Sequence, residues 1–118
     1  MRDVSILTDN GVNLESALEF LGDLIFYDET LEAFLTENET RIPNIEKYRK
    51  EQKMDDYAIL VHALKSDSKY LGFTELAEIA YTHELASKAN NVDEVNKKYI
   101  ELIEKVEKYT ELAKKYLG

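Results

Sequence analysis

The chain is 118 residues long, carries no cysteine, and sets 15 basic against 24 acidic side chains for a formal charge of −9. That length suits one domain; the missing thiols exclude disulfides, thiolate metal sites and cysteine nucleophiles; and the charge disfavours nucleic acid and anionic membrane surfaces, which both demand a basic face. Four glycines and one proline are too few to turn an all-β chain, so helices with short connections are expected.

Residues 1–12 read as an N-terminal arm ending in the turn signal Asn10-Gly11. The arm is too short and too acidic for a secretory signal, and no apolar run approaches the roughly 20 residues of a membrane span. The cytoplasm is the expected compartment. Asn13 is placed to cap a short helix whose apolar positions Leu14, Ala17, Leu18 and Leu21 follow helical spacing and stop at Gly22.

A second pattern carries Leu24, Tyr27, Leu31 and Phe34, then Ile42, Ile45 and Tyr48, with Pro43 predicting a kink or break near 39–43. Asp55 and Asp56 open the next helix at its positive end, and Gly72 terminates it after Tyr70 or Leu71. Another helix is predicted over roughly 74–89, with Leu76, Ala77, Ile79 and Ala80 as its apolar stripe. Asn91 with Glu94 resembles a capping box for the last helix. There Val92, Val95, Tyr99, Leu102, Val106, Tyr109, Ala113 and Tyr116 alternate steps of three and four, the spacing of shallow-angle bundle packing. The chain therefore predicts an all-α fold: an antiparallel four-helix bundle with a short extra N-terminal helix, one domain over 1–118.

Only His62 and His83 titrate near neutrality. With about 100° per residue, Asp55, Ala58, Ser66 and Lys69 fall within about 40° of His62 and Lys65 at about 60°, while Tyr57, Leu60, Leu64 and Leu71 lie beyond about 130°. His62 is thus expected on the wet face with Leu60, Leu64 and Leu71 buried behind it. Small Ala58 and Ser66 leave the ring accessible to a bulky partner, and Lys65 and Lys69 could neutralise an anion attached to it. A solvated face with no function is the ordinary alternative for such residues. No Gly-rich phosphate loop, nucleophile elbow or zinc-protease motif is present. A metal site is not expected, since His83-Glu84 alone lacks a third ligand.

The stretch His62-Ala63-Leu64-Lys65-Ser66-Asp67-Ser68-Lys69-Tyr70-Leu71-Gly72 resembles the signature of histidine phosphotransfer (HPt) domains, His-x-Leu-Lys-Gly/Ser-x-Ser followed by Leu-Gly. Leu76-Ala77, Ile79-Ala80 and Glu84 resemble the pattern of that family's next helix, and Leu14 to Gly22-Asp23 resembles its N-terminal helix. The likeness covers about residues 11–115. Ser66 stands where many members have Gly, and Asp67 falls toward the core side. His83 occupies a position usually apolar in the family, and is expected to be a partly buried structural residue.

The resemblance implies a phosphocarrier of multistep phosphorelays. His62 would accept a phosphoryl group from a receiver-domain aspartate and donate it to another, with Lys65 stabilising charge and Lys69 assisting. Asp55, Ala58 and Ser66 would contact the partner, a response-regulator receiver or a hybrid histidine kinase. No intrinsic cofactor is implied; magnesium would belong to the receiver. With no nucleotide site, the chain would be a monomeric transfer intermediate rather than a kinase. Two alternatives differ in class: a bundle of this kind that docks on a signalling partner without carrying phosphate, and a metal- or cofactor-binding bundle, which needs inward-facing ligands.

Overall fold

The computed structural model describes residues 2–118, and among them every regular element is helical. Six helices follow in order: α1 (Ser5–Thr8), α2 (Leu14–Leu21), α3 (Leu24–Lys50), α4 (Met54–Tyr70), α5 (Thr74–Lys88) and α6 (Val92–Leu117). The last four form the bundle. Each reverses on its predecessor through a tight connection, and the packed pairs α3–α4, α4–α5, α5–α6 and α3–α6 close a ring. The short helix α2 lies across α3 and α4, and α1 docks on α6.

Local signals start these helices where the side chains dictate. Asn13 accepts from the Ser16 N–H, Asp23 from Phe26, and Asn91 from Glu94, each satisfying an otherwise unpaired donor of a first turn. The predicted stripe of α6 is the one buried: Val95, Leu102, Val106, Tyr109, Ala113 and Tyr116 point inward, with Val92 and Tyr99 half-buried at its edge. Against it stand Tyr27, Leu31, Phe34 and Ile45 from α3, Tyr57, Val61 and Leu64 from α4, and Leu76 and Ala80 from α5. Each large side chain so buried contributes roughly 1.5–3 kcal/mol. Phe73 ties the layers together, stacked 4.5 Å from Tyr109 and edge-on at 5.5 Å to Phe34.

Three expectations are sharpened or corrected. The N-terminal arm, whose structure the sequence leaves open, is ordered: Asp3 accepts from Ser5 at the start of α1, Leu7 and Val12 are buried, and Arg2 bonds Asp28 at 2.8 Å. Helix α3 does not break at Pro43 but runs unbroken from Leu24 to Lys50. Proline inside a helix costs about 3 kcal/mol locally. Here Ile45 is fully buried beyond it, and Arg41 before it is buried and paired with Asp67 of α4 at 2.8 Å, so contacts on both sides offset that cost. The same pair answers the awkward placement of Asp67.

The third correction concerns α4. Its buried residues are Met54, Tyr57, Ala58, Val61, Leu64 and Ser68, an arc centred about 110° from His62 rather than opposite it. Leu64 and Leu71 are fully buried as expected, but Leu60 is only half-buried and Ile59 is 67% exposed. His62 therefore stands at the flank of the wet face, turned toward α5.

Gly72 ends α4 at φ +80°, and its carbonyl accepts from the Asn13 N–H at 2.8 Å. A Cβ there would lie 2.4 Å from the Asn13 carbonyl oxygen, on backbone that cannot swing aside. Gly72→Ala is expected to lower stability by about 1–3 kcal/mol through left-handed strain and that collision. The urea unfolding midpoint measures it, and an unshifted midpoint would refute the close approach.

Candidate functional site

Everything at the candidate site is organised by one carboxylate. Glu84 follows Ala77 and Ala80 along the inner stripe of α5, so helical spacing carries it into the α4–α5 seam, where it is only 2% exposed. A carboxylate in that position is tenable only with donors around it. It has three. His62 Nδ1 lies 2.8 Å from Oε2, Lys65 Nζ donates to Oε1 at 2.7 Å, and Lys88 Nζ donates to Oε2 at 2.6 Å. Burial pushes the Glu84 carboxyl up, but the bonds from Lys65, Lys88 and His62 outweigh it and hold the group at about 2.

An ionised carboxylate only accepts, so the Nδ1 of His62 carries the proton and donates. Nε2 then bears the free lone pair. The His62 side chain is 55% exposed. When neutral, the ring thus presents its basic nitrogen unengaged, with its other nitrogen anchored to a buried anion. Such an anchor fixes the ring and favours positive charge on it, which is what a nitrogen nucleophile develops as it attacks.

The other sequence-predicted residues separate around this centre. Asp55 and Ala58 line a shallow hollow together with Ile59, His62 and Lys88. Ala58 is 6% exposed, so it forms the floor of that hollow rather than an open rim. Ser66 is half-buried one turn after His62. Lys65 lies partly under the ring of Tyr81, with Nζ 5.0 Å from the centroid. Lys69 is exposed and, with Lys65 and Tyr81, lines a different hollow between α2, α4 and α5. The sequence singles out neither Lys88 nor Tyr81, and Glu84 enters there only in the family-like pattern and beside His83 as an incomplete ligand pair. A signal for Glu84 existed: the stripe Leu76, Ala77, Ile79, Ala80 continues by steps of three and four to His83, Glu84 and Ser87, all buried.

His83 is 1% exposed, deeper than the partly buried position expected of it. Its Nε2 lies 3.0 Å from the Lys98 carbonyl of α6, and its Nδ1 lies 2.8 Å from the Tyr57 hydroxyl of α4. A carbonyl only accepts, so Nε2 carries the proton and Nδ1 accepts from Tyr57. The ring is a three-helix tie. Among the described residues no three of His, Cys, Asp and Glu converge as a metal-ligand set, and no helix is long and apolar enough to cross a membrane.

The family model described as the Hpt domain matches residues 29–111, which include His62, Lys65, Glu84 and Lys88. The chain belongs to the Hpt domain family. Neither the curated proteins nor the solved structures compared gave a match. Hpt domains serve histidine phosphotransfer in phosphorelays and work with receiver domains and kinases. The helical architecture of this Hpt domain, with no strand among the described residues, is that of the family.

Burial holds His83 of this Hpt domain below its usual value near 6.5, against the opposing bond to Lys98. Between that depressed folded value and about 6.5, the unfolded chain binds more protons than the folded one. Stability contributed by the neutral ring is therefore complete above about 6.5 and is lost as pH falls, by at most about 1.4 kcal/mol per pH unit for one proton. Wild type is expected to weaken more steeply than His83→Gln between pH 7.5 and 5.5. Urea titrations at both pH values measure the difference, and parallel slopes would refute the buried neutral ring.

Proposed function

We propose that this Hpt domain carries phosphate on Nε2 of His62, taking it from the aspartyl phosphate of a response-regulator receiver domain and passing it to a second receiver aspartate. The observation that carries the reading is the 2.8 Å contact of Nδ1 with the buried Glu84 carboxylate. It leaves Nε2 as the one ring nitrogen free to be basic, on a side chain that is 55% exposed.

In the transfer, the Nε2 lone pair forms a bond to phosphorus while the bond from phosphorus to the aspartyl oxygen breaks. The receiver's carboxylate departs with that electron pair. The ring gains one positive charge, and its Nδ1 proton stays on the bond to Glu84. Phosphohistidine so formed is a high-energy donor, and the reverse attack by a receiver carboxylate restores the neutral ring. Lys65 and Lys88 together outweigh Glu84 and keep the site cationic in a strongly acidic chain, with Lys69 adding to the field, so the phosphoryl dianion approaches down a favourable local potential. Magnesium for the aspartyl chemistry belongs to the receiver in this reading.

The surface around His62 suits such a partner. Ile59, Ser66 and Tyr70 follow one another along the outward stripe of α4, and Phe20 of α2 meets Tyr70 edge-on at 5.5 Å. Ile59, Tyr70 and Phe20 are exposed apolar side chains beside a titratable one, the composition of a protein-docking patch rather than of a small-molecule cleft. Asp55 and Ser66 sit at its polar margin.

His62→Gln is expected to abolish acid-labile labelling by a phosphorylated receiver. Unfolding free energy should fall by only about 1–2 kcal/mol, since the exchange weakens one of three bonds to the buried Glu84 carboxylate while Lys65 and Lys88 still balance it. Autoradiography after acid and neutral treatment, paired with urea unfolding, measures both. Undiminished labelling of the variant would refute His62 as the acceptor. A wild type that binds the receiver and never labels would favour the docking module instead.

A further inference from the structure

Two lysines share Glu84, and their settings differ. Lys65 bonds Oε1, is 25% exposed, and lies against the Tyr81 ring. Lys88 bonds Oε2, the same oxygen that holds His62 Nδ1, and its side chain is 60% exposed. The hollow beside His62 is lined by Lys88 and not by Lys65. One ammonium suffices to balance the Glu84 carboxylate, and a half-buried lysine under an aromatic ring has more to lose by leaving it.

We infer that Lys88, rather than Lys65, is the side chain that moves onto the phosphoryl group of His62, while Lys65 stays behind as the counter-ion of Glu84. This rests on the reading of His62 as the phosphoacceptor. Charge accounts for the division. With His62 neutral, the cluster of Glu84, Lys65 and Lys88 carries one net positive charge, and the mobile lysine supplies it. When the phosphoryl dianion arrives on Nε2 and the ring becomes cationic, the Nδ1 bond to Oε2 strengthens. Lys88 then loses its claim on that oxygen and finds a stronger anion a short swing away. Lysine suits this role, because a flexible stem with a point charge can exchange partners without the planar fit an arginine needs. No bond to phosphorus is made or broken by Lys88; it contributes hydrogen bonds and charge only.

The test uses phosphoramidate, a small donor that requires no docking partner and leaves ammonia as its phosphoryl group passes to the imidazole. The full chain is compared as wild type, Lys88→Ala, Lys88→Arg, Lys65→Ala and His62→Gln. Label position is mapped by mass spectrometry, and the lysine ammonium signals are followed by NMR. Label on His62, a rate about tenfold lower in Lys88→Ala, and recovery of most of that rate in Lys88→Arg are expected. On phosphorylation the Lys88 Nζ signal should shift strongly and the Lys65 Nζ signal little. Lys65→Ala should instead lower the thermal midpoint, because it strips a counter-ion from a buried carboxylate. Label on His62 with an unchanged rate in Lys88→Ala, or with only the Lys65 signal shifting, would overturn this assignment and leave the acceptor reading standing. Label on any other residue would overturn both.

Discussion

A carboxylate buried between two helices is the constraint on which the rest of this site depends. Glu84 is 2% exposed, and an unpaired charge there would cost several kcal/mol. Its three donors come from both sides of the seam: His62 and Lys65 from α4, Lys88 from α5. Meeting the needs of the carboxylate therefore locks α4 against α5, sets the rotation of α4 about its own axis, and selects which imidazole nitrogen carries the proton. Helix packing and the orientation of the His62 ring are one interaction seen from two sides.

That coupling explains why the buried arc of α4 lies tens of degrees from where a helical wheel puts it. A wheel weighted by hydrophobicity aims Leu60, Leu64 and Leu71 at the core and puts Ala58 in water. The bundle instead buries Ala58 and Ser68 and leaves Ile59 exposed. Small side chains let helix backbones approach closely, and the distance between packed helices follows the residues at their contact. The seam between α4 and α5, the most extensive in the molecule, uses small residues for that reason. Composition along a single helix does not reveal it, because the requirement comes from the partner helix.

Much of the fold was nevertheless legible. Asn13 and Asn91 cap as their positions foretold, the stripe of α6 is the buried one, and Gly72 stops α4 with a left-handed backbone. These features are local, written within one turn of the residues that enforce them. The misses were long-range. Nothing near Pro43 says that Arg41 will find Asp67 across the seam, and nothing in the first twelve residues says that Leu7 and Val12 will be buried. The site divides likewise. His62 and Lys65, four positions of one helix, stood out as a motif, whereas Glu84 and Lys88 lie a helix away and acquire meaning only when α5 folds back.

The two histidines show what the surrounding bonds decide. His83 and Glu84 are neighbours on α5, and both are buried. His83 spends both ring nitrogens inside the bundle, donating from Nε2 to the Lys98 carbonyl and accepting at Nδ1 from Tyr57. No lone pair remains for chemistry, and burial disfavours the cation that any nucleophilic attack would create. His62 has the opposite tautomer. Its Nδ1 proton is held by an anion, and its Nε2 has no partner inside the bundle. Identical side chains thus become a buried tie and an exposed ring with one nitrogen to spare. The difference lies in whether the fixed partner is a carbonyl, which merely orients the ring, or a carboxylate, which would also stabilise positive charge on it.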